Sequence, residues 1–394
     1  MVSVDRSVRR FYLYRGLTSE GFVYPILTVH ALAQGLDLAG VGFAAGSFFV
    51  GTLLGEVPTG YLGDKIGRRN GLALGSALIS LTHLGFAFAD SLTAFVALWC
   101  FWGISATFRS GTTDAWLYDT LADHGETGSF IRIHGRSGAI FYAAAAITAL
   151  AGGVLYERWA PLPFLAAATL TGLGSLVILT LPEPTVSGSN EGFSLADARA
   201  ALSRVVSNRR VRSFVFLSGV VLAVPETVEV FVQPVALSVG FTPATLGGLY
   251  AGLMLAAATG SSVAAKIGDR FGIDGWFTLG PVLLACALLG ASVVPVVALP
   301  AFLLSRSSNT VSATLKSAFL NDRVESHGRA TTLSGVSMIH GLLFFLARTT
   351  GGAVANATTP LVALSAFGAV AVGSVLLFRS VSDPFESGRP VATD

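Results

Sequence analysis

Apolar residues dominate this chain in long runs that short charged stretches interrupt. Twelve runs can be separated, and each has about the 20 residues that an α-helix needs to cross a bilayer. Because hydrocarbon offers no partners to unpaired backbone groups, every run is predicted to be helical. The pattern therefore predicts an all-α membrane protein with twelve transmembrane helices. The runs cover residues 11–34, 38–62, 71–89, 92–117, 133–155, 161–181, 212–237, 243–266, 276–293, 296–320, 329–354 and 360–379.

Composition supports a membrane protein over a soluble one. Only 12% of the residues are charged and the mean hydropathy is +0.68, whereas soluble domains carry about 25% charged residues. The first run contains Arg15 and Glu20 and lacks a small-residue cleavage site, so it is not predicted to be a signal peptide. Cys100 and Cys286 lie inside apolar runs and are interpreted as packing residues rather than metal ligands.

The basic residues predict the orientation. Of the 25 lysines and arginines, nineteen fall on the side of the amino terminus, five fall within runs, and only Arg158 falls on the opposite side. The positive-inside rule therefore predicts that both termini are cytoplasmic, in the plasma (inner) membrane.

An internal repeat divides the chain. The string "KIGDRFG" follows the eighth run as "GDKIGRR" follows the second, and Asp64 and Asp269 are 205 residues apart. This offset predicts two six-helix repeats of like orientation. The predicted units are a first bundle over 1–181, a linker over 182–211, a second bundle over 212–380 and a cytoplasmic tail over 381–394.

The linker is predicted to contain an amphipathic helix. Leu195, Ala198, Leu202 and Val206 share one face of it, which suits a helix lying on the inner leaflet. We interpret this helix as a tether between the bundles.

The loop after the second run carries the most specific motif. Its pattern is Gly60-x-x-x-Asp64-Lys65-x-Gly67-Arg68-Arg69, and it resembles the signature loop of the major facilitator superfamily. The second copy, which includes Asp269 and Arg270, resembles the counterpart loop, but has Ala265 for the first glycine and Ile273 and Asp274 for the basic pair. The resemblance covers the whole chain.

The resemblance implies that this loop latches the two halves together when the transporter faces outward. Physical chemistry agrees, because Gly60 and Gly67 allow helix ends to approach closely. An anion such as Asp64 at a helix amino terminus gains about 0.3–1 kcal/mol. Arg68 and Arg69 are expected to pair with acids or lipid phosphates.

Carboxylates inside the runs are costly in a bilayer, so they predict a cavity or a partner. Glu226, Glu229 and Gln233 follow i, i+3, i+7 spacing on one helix face, and Glu20 lies in the first run. The resemblance implies that runs one and seven line a central cavity. There the three carboxylates would repel one another and take up protons, bind a cationic substrate, or do both. The alternative is that they pair with Arg15 or Arg109 and hold helices in register.

Other ionisable residues in the runs are further candidates. Arg109 resembles the family's span-four arginine, which is associated with proton coupling. Asp114 would lie about 140° further round the same helix. His340 suits pH-linked protonation, and Lys316 and Arg306 are expected either to snorkel or to pair with the acids of run seven.

These features predict a secondary transporter and not an enzyme. The sequence has no phosphate-binding loop and no metal-ligand spacing, so no cofactor, metal or nucleic-acid partner is predicted. The leading hypothesis is that a monomer exports a small cationic or amphipathic solute in a proton-coupled manner. The motif of drug antiporters has a proline before its glycine pair, and Gly152 and Gly153 lack it. Metabolite uptake, an uncoupled facilitator and a non-transporting sensor are the alternatives.

Overall fold

The structure is a computed structural model and describes residues 4–185, 195–323, 329–381 and 383–385. These residues form fourteen α-helices and two short 3-10 helices, and no strand occurs among them. The α-helices are α1 Val4–Leu17, α2 Leu27–Ala33, α3 Leu38–Ile66, α4 Arg68–Phe86, α5 Leu92–Thr107, α6 Thr112–Ala122, α7 Phe130–Arg158, α8 Leu162–Leu179, α9 Leu195–Ser207, α10 Arg209–Ser238, α11 Pro243–Val293, α12 Ala298–Arg323, α13 Arg329–Ala357 and α14 Pro360–Val381. The 3-10 helices are Thr127–Ser129 and Pro295–Val297.

Several helices begin where a short polar side chain interrupts the apolar pattern. Asp37 accepts a hydrogen bond from the Gly40 amide at 2.7 Å, just before α3. Asn208 accepts bonds from two amides of the first turn of α10, each at 3.1 Å. Such caps satisfy amide groups that have no partner within the helix.

The first predicted span is not one helix, contrary to the sequence-based prediction. The backbone leaves helical geometry between α1 and α2, and Glu20 has a positive φ of 61°. A Cβ at Gly21 would overlap the Ala145 carbonyl of α7, and Pro25 disfavours helix at the residue before it. The non-helical segment 18–26 therefore brings Glu20 to the bundle interior on an irregular backbone.

The predicted span over 92–117 is also broken. Helix α5 ends at Thr107, α6 begins at Thr112, and Gly111 between them has φ 71°. Arg109 lies in this break. The 140° separation from Asp114, which assumed one continuous helix, was therefore wrong.

The predicted repeat has a backbone counterpart. Gly67 separates α3 from α4 with φ 87° and ψ 162°, and Gly272 kinks α11 with φ 71° and ψ 167°. These conformations favour glycine. The two glycines are 205 residues apart, the same offset as Asp64 and Asp269.

Two helix pairs join residues 4–185, here called the first half, to residues 209–381, the second half. Helix α3 packs on α13, and α7 packs on α11. In the first pair, Cβ atoms at Gly42 and Gly352 would each fall within 3.0 Å of backbone on the partner helix. In the second, the Glu157 carboxylate accepts a hydrogen bond from the Ala244 amide at 2.9 Å. These contacts lie at the end of the bundle away from Gly67, which we call the closed end.

The Gly67 end is open between α7 and α11. Ala149 and Gly153 of α7 contact α11. Gly138 lies eleven residues before Ala149, and Gly135 lies eighteen residues before Gly153. These spacings are close to whole helical turns, so all four share one face. Yet a Cβ at Gly135 or Gly138 would meet nothing within 4 Å. The halves therefore diverge toward the end that carries Gly67.

Helix α9 packs one of its faces on α13. Ala201 and Val205 are fully buried, and a Cβ at Gly335 of α13 would lie 2.7 Å from the Ala201 carbonyl. Val206, predicted on the apolar face, is 46% exposed. The contact of this face with the inner leaflet stays a prediction. Linker residues 186–194 and all of the predicted tail except 381 and 383–385 lie outside the described residues.

Eight stretches of the described chain are long and apolar enough to cross a membrane. One of them is the 51-residue α11, which spans two predicted runs. The predicted runs 11–34, 71–89 and 296–320 contain helices outside this set. The number of spans thus stays a prediction, whereas the helical class is confirmed.

Candidate solute and coupling site

A cavity of about 520 Å³ lies between the two halves. Its volume is within the roughly 300–1,000 Å³ typical of small-molecule sites. Both halves contribute charged side chains to its wall, and aromatic rings form much of the rest. The charged residues are Arg15, Glu20, Arg109, Glu226, Glu229, Arg306 and Arg348, and the aromatic ones are Tyr24, Phe48, Phe49, Trp99, Trp102, Phe141 and Tyr250.

Glu20 and Arg109 form one ion pair inside the first half. Arg109 Nη1 lies 2.6 Å from Glu20 Oε1, and the two side chains are only 12% and 9% exposed. Arg109 Nη2 also donates to the Thr18 carbonyl at 3.1 Å. Arg109, in the α5–α6 break, thus binds both the Glu20 carboxylate and the Thr18 backbone carbonyl of the α1–α2 break.

Gln233 supports the same break from the second half. Its amide nitrogen donates to the Tyr24 carbonyl at 2.8 Å, and its oxygen accepts from the Val29 amide at 2.9 Å. The nitrogen also lies 3.0 Å from the Tyr250 hydroxyl. Gln233 therefore lines the cavity, as predicted, while its polar atoms are engaged in holding non-helical backbone.

Glu226 pairs with an arginine that also reaches across the halves. Arg348 Nη2 lies 2.9 Å from Glu226 Oε2, and Arg348 Nη1 donates to the Ala45 carbonyl of the first half at 3.2 Å. The guanidinium lies 4.8 Å from the centre of the Phe49 ring, also in the first half. Asn309 donates to the other Glu226 oxygen at 3.3 Å. The charge of Glu226 is thus linked to a contact between the halves.

Glu229 and Arg306 form the third pair, at 3.0 Å, with side chains 29% and 30% exposed. This pair is the more open pair of the second half. The expectation that Arg306 pairs with an acid of run seven agrees with this geometry. No ion pair of Lys316 occurs within the described residues.

The pairing changes the electrostatics expected from the sequence. The three carboxylates do not face one another as like charges, because each has an arginine within 3.0 Å. Four arginines and three glutamates line the cavity. The surplus is one positive charge, which disfavours a cationic solute.

Two predicted site residues lie away from the cavity. Asp114 is 57% exposed and pairs with His134 Nδ1 at 3.1 Å. His340 is buried, with Nε2 2.9 Å from the Val215 carbonyl and 3.3 Å from the Ser218 hydroxyl. Since a carbonyl only accepts, His340 Nε2 donates to it. This histidine joins α13 to α10.

The motif loop makes its described contacts within the first half. Arg68 pairs with Asp119 of α6 at 2.7 Å, and the Arg69 amide donates to Glu183 at 3.2 Å. A Cβ at Gly67 would lie 2.6 Å from Oε1 of the flexible Glu183 side chain, so glycine is favoured here mainly for its φ of 87°. Lys65 lies over the Tyr61 ring at 4.7 Å.

The remaining motif positions make no described contact between the two halves. Gly60 lies within α3, and the side chain of Asp64 is outside the described part of the structure. In the second copy, Asp269 and Arg270 are exposed, and Asp274 pairs with Arg379. The latch between halves stays a prediction for the other conformational state.

Sequence reasoning missed the aromatic wall and the role of Arg348. Trp99 and Trp102 were hidden within a uniformly apolar run. Arg348 is one of the five basic residues that fall within the predicted runs, but its partner is 122 residues away in sequence. The available signal was the cost of an intramembrane arginine, which requires a partner of opposite charge.

Together, two helical halves, broken helices and a charge-lined cavity between them form an arrangement that is typical of membrane transporters. The sequence profile of the Major Facilitator Superfamily matches residues 16–305, and the chain belongs to this family. It is therefore a multi-pass membrane protein of a transporter family, which agrees with the prediction of a transporter rather than an enzyme.

Named relatives agree with this assignment. The uncharacterized MFS-type transporter YxaM of Bacillus subtilis (strain 168) is 23% identical over 247 residues, which are 61% of each chain. The match thus spans less than two thirds of that relative. Among solved structures, the nucleoside transporter NupG has a TM-score of 0.79 at 13% identity, covering 98% of this chain and all of that one. A D-xylose-proton symporter has a TM-score of 0.69 at 15% identity, covering 94% and 95%. These structural likenesses concern the fold alone.

Proposed function

We propose that this protein moves a small organic solute through the central cavity by alternating access, coupled to proton movement. The observation that carries the proposal is the Glu226–Arg348 pair. Arg348 contacts Glu226 of its own half and the Ala45 carbonyl of the other half. Neutralising Glu226 by protonation removes the charge that positions Arg348, which changes a contact between the halves. Protonation and rearrangement of the halves are thereby coupled.

The Glu20–Arg109 pair supports the same proposal in the first half. It joins two broken helices, and such breaks at cavity depth are typical of solute and ion sites in transporters. Breaking the pair would release both the carboxylate and the Thr18 carbonyl. We therefore assign Glu20 and Glu226 as the coupling carboxylates, with the more open Glu229 as a third site.

We propose export as the direction, as predicted from the sequence, in the plasma (inner) membrane with both termini cytoplasmic. The open Gly67 end is then the cytoplasmic end. We further propose a monomer, with lipid phosphates near the basic residues of that end. The surplus arginine supports a second candidate, uptake of a metabolite, because it disfavours the cationic solute that the export hypothesis favoured.

The test is solute flux in proteoliposomes, using the compound that most raises the melting temperature of the purified protein. Flux is measured with and without an imposed pH gradient, from each side. In Glu226→Gln and Glu20→Gln we expect accumulation driven by the gradient to be lost and exchange to persist, because glutamine cannot exchange a proton. Glu126→Gln, an exposed residue outside the cavity, is the matched control.

Three outcomes separate the alternatives. Wild-type flux that ignores the pH gradient would reject proton coupling and leave a facilitator. A normal gradient response in both mutants would move the proton site elsewhere. The side from which a proton gradient drives accumulation gives the direction.

A further inference from the structure

One cavity arginine has no acidic partner. Arg15 lies in the last turn of α1, just before the segment that carries Glu20. Its Nε is buried and has no hydrogen-bond partner, and within the described residues its side chain forms no ion pair. Asp114, a carboxylate outside the three cavity pairs, is 57% exposed and contacts His134, so it acts on Arg15 only through space. Arg15 is thus the surplus positive charge of the cavity wall.

An aromatic ring orients this arginine. The guanidinium carbon of Arg15 lies 4.6 Å from the centre of the Phe141 ring of α7, and both residues line the cavity. Stacking of this kind covers one face of the planar group, and because Nε is buried, the edge formed by the two Nη groups is the one that a ligand can reach. That edge is a fork of donors that matches the two oxygens of a carboxylate.

An arginine kept in a membrane protein without a protein partner calls for a partner from elsewhere. We propose that Arg15 binds the carboxylate of the transported solute, and that the solute is a small monoanionic organic acid with a flat apolar body. This inference rests on the proposed function and names the substrate class of that site.

The charge of the solute follows from the balance of the cavity. Three arginines are matched by three glutamates, so one negative charge completes the set. A phosphate ester would bring a second charge without a partner, and an amine would add to the surplus. A neutral solute would leave the Arg15 charge without a counter-charge in the cavity, which is costly in a membrane protein.

The flat apolar body follows from the rest of the wall. Trp99 and Trp102 of α5 and Tyr24 of the α1–α2 break line the same cavity as Arg15. Aromatic side chains favour stacking against flat rings. The cavity therefore has an anion-binding position at Arg15 and an aromatic surface for the remainder of the molecule.

The test is ligand binding to the purified full-length protein, followed by thermal unfolding and by tryptophan fluorescence. The probes are benzoate, 3-phenylpropionate and indole-3-acetate, each with its primary amide and corresponding amine. Sodium chloride and sodium sulfate at equal ionic strength distinguish an inorganic anion from an organic acid. A ligand that binds the native state raises the melting temperature with concentration.

We expect the acids, but not the amides, amines or salts, to raise the melting temperature. Arg15→Gln should weaken acid binding by about 10- to 150-fold, as expected for a lost hydrogen bond to a charged group. Arg15→Lys, which keeps the charge but not the fork, should give an intermediate loss and also serves if Arg15→Gln folds poorly. Arg158→Gln, an exposed arginine outside the cavity, should bind like the wild type.

The proposal is overturned if no acid binds the wild-type protein. It is also overturned if an amide, an amine or an inorganic salt binds as tightly as the acid, or if Arg15→Gln binds the acids with wild-type affinity. Binding is measured without transport, so the two proposals fail separately. An amine that binds and is transported would reject the anion assignment alone. An acid that binds but never crosses the membrane would reject the transport function alone.

Discussion

Gly153 provides a sharp test of the closed end of the transporter. A Cβ at Gly153 of α7 would overlap the Pro243 carbonyl of α11 and lie 3.0 Å from Ala244 Cα. Both obstacles are backbone atoms, which cannot rotate away. Gly153→Ala should therefore penalise the state in which the halves meet at this end, while a state in which they separate there is unaffected.

The magnitude follows from overpacking. Forcing a methyl group into a packed contact costs about 1–3 kcal/mol, and each 1.4 kcal/mol is tenfold in an equilibrium. The population open at this end should rise about 5- to 150-fold. The helix-propensity gain of about 1 kcal/mol for alanine over glycine is common to both states and cancels. Gly138→Ala on the same helix has the same gain and nothing within 4 Å, so it is the matched control.

The assay is the reaction of a membrane-impermeant maleimide with a cysteine at Thr28, a buried cavity residue, in right-side-out vesicles. Cys100 and Cys286 are replaced by serine. Gly153→Ala should raise the labelling rate by the factor above, and Gly138→Ala should not. Equal rates in the two variants would refute the assignment of the closed end.

Two further predictions concern residues outside the cavity. His340→Ala should lower the free energy of unfolding by about 0.5–1.5 kcal/mol because it removes the hydrogen bond from His340 Nε2 to the Val215 carbonyl, and the pH profile of transport should not move; an altered profile at unchanged stability would return His340 to the coupling site. Hydrogen bonds from the Thr185 hydroxyl and amide lower the pKa of Asp123. This contact therefore stabilises the fold fully at pH values above the ordinary aspartate pKa of about 3.9. The stabilisation is lost as the pH falls through the lowered pKa of Asp123. Hydrogen exchange at the Thr185 amide, corrected for intrinsic rate, should therefore accelerate in acid, and a protection factor that Asp123→Asn leaves unchanged would contradict this.

The sequence predicted the helical class, the family and the acids of the cavity because these depend on local patterns. Run length and low charge fix a membrane helix, and the i, i+3, i+7 stripe placed Glu226, Glu229 and Gln233 on one face. The cost of burying charge marked Glu20 and Arg109. Each of these inferences needs only residues close together in the chain or a single residue in an apolar run.

The sequence did not predict which arginine meets which glutamate. The three pairs join residues 89, 122 and 77 positions apart, so they depend on how the helices pack. The break at Glu20 was missed because its backbone groups are satisfied from elsewhere, by Arg109 and Gln233. The buried face of α9 was missed because α13 offers it an apolar partner surface, which competes with the lipid.

The central claim is that the open and closed ends of the cavity exchange, and the distances across both ends test it most directly. Pulsed electron paramagnetic resonance can measure one spin-label pair at Gly138 of α7 and Ala258 of α11, across the open end, and a second at Arg158 and Gly248, across the closed end. We predict that lowering the pH, or adding the solute that stabilises the protein, produces a population in which the first distance shortens and the second lengthens. Distances that never change, or that change in the same direction at both ends, would contradict alternating access through this cavity.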